Sequence, residues 1–220
     1  MIFLSAVFIL PHFASALDKP AAVVKVFAGE VALKSRGAFK NLQIKKATPF
    51  PKGGSGGIKD YPVSAGDELR LARDAKAQVV FLDGSFVNIT GEAVFSIGYY
   101  SNQGAPPASR AIILFSGNAA RFVVSKATKS YLSVKTPTAV ITGGNSDFVI
   151  SSDEKRTVIS VISESAVVRN SSPLIVNEAV VKPGRSAVIA SDAPPSSPVM
   201  LSRKELSSLI RQNTFSETTR

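Results

Sequence analysis

The chain has 220 residues, 45% of them hydrophobic, and 26 Lys and Arg against 16 Asp and Glu give a formal charge of +10. It has no cysteine and one histidine, His12. Disulfides, thiolate nucleophiles, Cys-ligated zinc and a lipid-modified N-terminal cysteine are excluded, while a core of ordinary size is within reach.

Residues 2–10 form an apolar run, followed by Pro11 and by Ala14-Ser15-Ala16 ahead of Leu17-Asp18. Residues 1–16 therefore read as an export signal with a small-x-small cleavage site after Ala16. The run is shorter than the about 20 residues that a permanent membrane helix needs. No Lys or Arg precedes it, so the terminal amine supplies the positive charge. The expected location is periplasmic or secreted. Cleavage removes His12 and leaves neither His nor Cys. The commonest general base, the commonest metal ligands and the usual activators of a Ser nucleophile go with it.

Residues 17–191 read as one β domain. Residues 21–33 suggest a hairpin around Ala28-Gly29-Glu30. Residues 34–62 are a polar excursion with Pro49, Pro51 and a glycine cluster at 53–57, expected to be a mobile loop. The glycine cluster has no Lys-Ser/Thr after it and no helix to open, so it is not a phosphate cradle. Lys45, Lys46, Lys52 and Lys59 surround it and are the candidate contacts for an anionic surface.

The chain is organised around residues 63–97. Strands at 77–82, 85–90 and 93–97 are separated by Asp83-Gly84 and Gly91-Glu92. Phe86, Asn88 and Thr90 share one face of the middle strand, with Val87 and Ile89 on the other. The outer strands are apolar on both faces, which places them between layers. Residues 99–109 form a second loop with tandem prolines. Residues 110–124 read as strand, Ser116-Gly117-Asn118 turn, strand. Pro137 stops one strand. Another runs over 139–142, turns at Gly143-Gly144-Asn145 and returns over 147–150. Residues 157–168 give one or two more, and 173–190 close the series around Lys182-Pro183-Gly184-Arg185.

Short strands with Gly or Pro breaks every 8–12 residues or so predict an all-β body, a β-helix-like or jelly-roll-like stack of short strands and hairpins. Residues 192–220 change character. A Pro/Ser linker at 192–198 precedes a capping box, Ser202 to Glu205, and Leu206, Leu209 and Ile210 follow at helical spacing. A short amphipathic helix is expected, either docked on the β body or free for a partner.

The carboxylate pairs Asp67-Glu68 and Asp153-Glu154 sit beside turns and point to opposite faces of any strand, so they read as turn chemistry. Catalytic residues, cofactors and metal ions are not expected. Nor is nucleic acid, since the Phe residues fall inside strand patterns and the basic residues form no stripe.

Several motifs recur in a known order: Phe27-Ala28-Gly29-Glu30-Val31, Val63-Ser64-Ala65-Gly66-Asp67, and Ala77-Gln78-Val79-Val80-Phe81-Leu82-Asp83-Gly84-Ser85. Then come Leu114-Phe115-Ser116-Gly117, Val134-Lys135-Thr136-Pro137-Thr138-Ala139-Val140, Phe148-Val149-Ile150 and Val181-Lys182-Pro183-Gly184. In order and spacing the chain resembles the FecR domain over about residues 22–189. This is the extracytoplasmic module of ferric-citrate-type signalling regulators and of stand-alone exported proteins. Two places depart from the pattern: the family's Val-Arg-Gly-Thr stretch is Thr142-Gly143-Gly144-Asn145-Ser146 here, and a later glycine is Glu164. The cytoplasmic helical region and membrane helix of the family's regulators have no counterpart in this sequence. The resemblance implies an exported, non-catalytic β module that contacts another exported or outer-membrane protein, in interaction or signalling. An alternative is binding of an anionic cell-wall polymer or lipid surface through a basic face. A third, a sugar hydrolase, needs two carboxylates facing each other at about 5–9 Å.

Overall fold

Strand follows strand from Ala22 to Met200, because β-branched and aromatic residues fill short runs between breaks of Gly, Pro, Asn and Asp. The computed structural model describes residues 20–42, 60–103, 108–126 and 130–215. The export segment with its cleavage site at Ala16, and Lys45, Lys46, Lys52 and Lys59, lie outside the described residues. The strands are β1 (Ala22–Ala28), β2 (Val31–Ser35), β3 (Ala38–Leu42), β4 (Tyr61–Val63), β5 (Glu68–Leu71), β6 (Lys76–Phe81), β7 (Phe86–Gln103) and β8 (Ala108–Val123). They continue as β9 (Tyr131–Lys135), β10 (Ala139–Gly144), β11 (Asp147–Ser152), β12 (Arg156–Ser163), β13 (Ala166–Asn170), β14 (Glu178–Val181), β15 (Arg185–Ala190) and β16 (Val199–Met200). The helix α1 is Arg203–Gln212. The fold is all-β, and among the described residues no helix is long and apolar enough to cross a membrane.

The strands form two layers that share β7 and β8. The front layer runs β14-β13-β10-β9-β8-β7-β5-β2-β3, and the back layer runs β16-β15-β12-β11-β8-β7-β6-β1-β4. Every pairing is antiparallel except β8 with β9. Strand β7 gives residues 86–90 to the back layer, against β6, and residues 93–96 to the front, against β5. Strand β8 gives residues 110–114 to the front, against β9, and residues 117–123 to the back, against β11. One hydrophobic core fills the space between, with Phe95, Ile113, Phe122, Ile141, Phe148 and Ile159 fully buried. The Phe122 and Phe148 rings stack at 5.3 Å.

The two turns expected at Gly91-Glu92 and Ser116-Gly117-Asn118 are bends inside β7 and β8, where these strands pass from one layer to the other. The β7–β8 register shifts between Thr90 and Ala93, and the backbones come close there. A Cβ on Gly117 would lie 2.4 Å from Ala93 Cβ and 2.7 Å from the Glu92 carbonyl oxygen. Glycine marks a close approach of backbones here. The hairpin expected around Gly29 is also a crossing: β1 pairs with β4 and β6, and β2 with β3 and β5. Likewise β10 and β11 do not pair, so the chain changes layer at Asn145. Four connections between strands of different layers each hold one residue in the left-handed region: Gly29 (φ 66), Asn145 (φ 54), Glu164 (φ 57) between β12 and β13, and Gly184 (φ 73) between β14 and β15. Glu164 thus occupies a position whose backbone favours glycine.

The excursion expected over residues 34–62 has strand at both ends. Lys34 and Ser35 complete β2, and β3 returns beside it. The Arg36-Gly37 connection has φ of 49° and 83°, a mirror-image turn whose twist matches a hairpin. The loop expected over 99–109 is also shortened, since β7 extends to Gln103 and β8 begins at Ala108. The strand material at 157–168 is two strands in different layers, β12 and β13.

Candidate interaction face

The motif residues hold the fold together. Asp67 closes the turn before β5, accepting from Ser64 N at 2.8 Å. Asp83 gathers hydroxyls: its Oδ2 accepts from Ser85, Ser130 and, in the shortest contact, Ser109, while Oδ1 accepts from Ser85 N at 2.9 Å. Beside it the Tyr100 hydroxyl is buried without a hydrogen-bond partner. Burial, and then the Asp83 charge, push the Tyr100 phenol up to about 12. In the Thr136-Pro137-Thr138 motif, Thr157 Oγ1 sits at 2.7 Å from Thr136 Oγ1, 2.8 Å from Thr138 Oγ1 and 2.9 Å from Ser152 Oγ. Thr138 Oγ1 also donates to the Ile189 carbonyl at 3.0 Å. This buried hub ties β10 in the front layer to β11, β12 and β15 in the back.

The acidic pairs do turn chemistry. Asp153 accepts from Lys155 N at 2.8 Å and Arg156 N at 2.9 Å. These bonds hold its carboxyl below the usual range, the opposite of what a catalytic acid requires. Asp153 and Glu154 share a shallow groove of about 480 Å³ with Glu92. Among the described residues, no three Asp, Glu or His side chains are gathered to hold a metal ion.

The outward sides of the two layers differ. Across the back layer one row of side chains runs Lys25, Gln78, Asn88, Arg121, Val149, Ser160, Ser186 and Val199. Although they point outward, Asn88, Val149, Ser160 and Ser186 are buried. The C-terminal arm meets this row at Asn88 and Arg121. It leaves β16 at one edge, forms α1, and ends against β7 and β8 near the other. Asn88 Nδ2 donates to the Asn213 carbonyl at 2.9 Å, and Gln78 Nε2 donates to Asn88 Oδ1 at 2.9 Å. Arg121 grips Asp147 through Nε at 3.0 Å and Nη2 at 2.7 Å, and donates from Nη1 to Thr214 Oγ1 at 2.6 Å. Phe215 meets Phe27 of β1 at 5.3 Å between ring centroids. The expected capping box is present: Glu205 N donates to Ser202 Oγ, and Ser202 N to Glu205 Oε2. The helix therefore docks on its own body.

The front layer has no such cover among the described residues. Tyr99, Ile112, Ser133, Thr142, Val167 and Val180 lie opposite one another across six strands. The neighbouring row contains Leu114, Lys135, Val140, Arg169 and Glu178. Tyr99, Leu114, Tyr131, Val167 and Val180 are exposed, Tyr131 by 61%. A groove of about 440 Å³ runs between Tyr99 and Tyr131, with Arg110 at its side. Exposed apolar side chains in a contiguous patch with a charged rim mark a contact surface.

The four lysines named from the sequence lie outside the described residues, and the sequence alone did not single out Tyr99, Leu114, Tyr131 and Val180. A signal was available: Tyr131 and Lys135 share a strand parity, so the tyrosine stands on the solvent face with a lysine.

The architecture is that of an all-β, two-layer module whose back face carries the C-terminal arm and whose front face has no such segment among the described residues. The family model described as FecR protein matches residues 67–167, from the turn before β5 into β13. Two crystal structures of a "putative anti-sigma factor" from Parabacteroides distasonis ATCC 8503, at 2.50 Å and 1.65 Å resolution, are similar in fold. The first gives a TM-score of 0.51 at 14% identity, the second 0.50 at 15%, each over 65% of this chain. The matched regions span 63% and 64% of those chains, less than two thirds of their length. No curated protein matches the sequence.

Proposed function

We propose that this protein is an exported, non-catalytic FecR-like module that acts by contact. Its front layer docks another exported or outer-membrane protein in envelope signalling or regulation. The observation that carries this reading is the asymmetry of the two outer faces. On the back face the arm is fastened to Asn88 and Arg121, while the front presents Tyr99, Leu114, Tyr131, Val167 and Val180 to solvent. The FecR match and the likeness to structures described as anti-sigma factors support a regulatory role. Export itself is tested by N-terminal sequencing of the mature protein, with Leu17 expected first.

The test of docking places a photo-crosslinking residue at position 131 on the front and, separately, at position 188 on the back, in cells. A discrete adduct is expected from position 131 only, and Leu114→Asp should abolish it. Equal products from both positions, or none from 131, would refute the reading.

The +10 charge favours a second reading, binding of an anionic envelope polymer or lipid surface through Arg110, Lys135 and Arg169 together with Lys45, Lys46, Lys52 and Lys59. Such binding must weaken steeply with added salt, whereas docking on the apolar row should survive it.

A further inference from the structure

Strand β14 is the last strand of the front layer, hydrogen-bonded on one side only, to β13. Its outer edge is open among the described residues. Open edges template further strands, and proteins normally blunt them with charge, proline or a covering segment. Glu178, Lys182 and Pro183 stand at this edge, and exposed apolar side chains stand there with them. Leu174 and Val176, just before it, are 90% and 83% exposed, and Val180 within it is exposed as well. Unlike β3 and β4, it is bordered by described residues on both sides.

We propose that β14 pairs antiparallel with β14 of a second copy of this chain, across a two-fold axis at Val180. The sequence Val176-Asn177-Glu178-Ala179-Val180-Val181-Lys182 carries the argument. In a self-paired antiparallel strand, opposed residues point to the same face. Glu178 and Val180 point outward in this layer and Val181 inward. Only registers centred on a residue keep the two front faces continuous. Centring on Glu178 sets a carboxylate against itself, and centring on Lys182 sets an ammonium against itself. Centring on Ala179 leaves both charges without an opposite partner. Centring on Val180 places Glu178 of each copy opposite Lys182 of the other, twice per dimer, which is the favourable cross-strand arrangement. Val180 then meets its own symmetry mate, Ala179 meets Val181, and the exposed Val176 lies over the Gly184 turn of the second copy. The apolar row from Tyr99 to Val180 becomes one stripe across both molecules. This goes beyond the docking reading and does not require it, since the edge and the face are separate surfaces.

The test is the association state of the purified full chain, by sedimentation velocity over a concentration series. A reversible dimer is expected. Lys182→Glu, an exposed position, sets like charges opposite each other at both pairs and should weaken the dimer about tenfold. Glu178→Lys with Lys182→Glu should restore it. The absence of native cysteine allows a second measurement. Residues opposed across an antiparallel pair have Cα atoms about 4.5–5.5 Å apart, within disulfide range. Val180→Cys should therefore give a covalent dimer on mild oxidation. Val167→Cys, one strand further in on each copy and so about 14 Å from its mate, should not. A monomer at every concentration overturns the proposal. So does a dimer that ignores Lys182→Glu, a double variant that fails to recover, or crosslinking at 167 in preference to 180.

Discussion

At the scale of single residues, most polar motif positions hold strands together. Thr157 accepts and donates to its full capacity, one hydrogen and two lone pairs shared among Thr136, Thr138 and Ser152. Thr157→Val keeps the shape and removes the oxygen. Ser152 Oγ then loses its cross-hairpin partner in a buried site, and Thr136 and Thr138 each lose one bond. The expected cost is about 1–3 kcal/mol, read as a lower denaturant midpoint with an unchanged slope, and Thr157→Ser should recover most of it. Tyr100 behaves differently, because its hydroxyl is buried beside Asp83 without a partner. Its folded pKa stands at about 12 against an ordinary 10.0. A raised pKa gives a contribution that is complete below pH 10 and lost as pH rises toward 12, since the unfolded chain releases that proton first. In a spectrophotometric titration of the native protein, one of the four tyrosines should ionise late. Tyr100→Phe should remove that late step and leave stability at neutral pH unchanged or higher. Loss of a different step would show that Tyr100 is not the shielded phenol.

At the scale of elements, glycines separate what the sequence made legible from what it did not. Alternation put Val87 and Ile89 on one face of the strand, and both are buried. The breaks at Gly91 and Gly117 were also visible, but their geometry was not. A glycine that turns a chain and a glycine that lets two backbones cross leave the same mark in the sequence. Only the distances at Gly117 tell them apart, and for the same reason two long bent strands read as four short ones. Gly117→Ala should cost about 2–3 kcal/mol, because the obstructing atoms are Ala93 and the Glu92 carbonyl rather than the tip of a flexible side chain. Gly144→Ala is the control, since a Cβ there meets nothing nearer than 3.4 Å, and its melting temperature should hardly move. Equal effects at the two positions would mean that β7 and β8 do not cross as closely as described.

At the scale of the whole molecule, the two layers are alike in build and opposite in surface, and the C-terminal arm makes the difference. The capping box and the spacing of Leu206, Leu209 and Ile210 announced the helix. Its docking was illegible, because the groups that receive it stand on strands far back in the chain, Asn88 some 125 residues before Asn213. Arg121 is the central fastening, 14% exposed and bidentate on an Asp147 that is 15% exposed. Arg121→Ala leaves the Asp147 carboxylate short of its partner in a largely enclosed place and cuts the bond to Thr214. The expected loss is about 2–3 kcal/mol. The location of that loss is the sharper prediction. Amide hydrogens of residues 206–213 should exchange faster in the variant, while those of β9 and β10 in the front layer keep their protection. Release of the arm also opens the row containing Val149, so a dye that reports exposed apolar surface should bind the variant more strongly at temperatures where the core is still folded. Protection of α1 unaltered by Arg121→Ala would mean that the arm is held elsewhere, and the covered back face would then need another account.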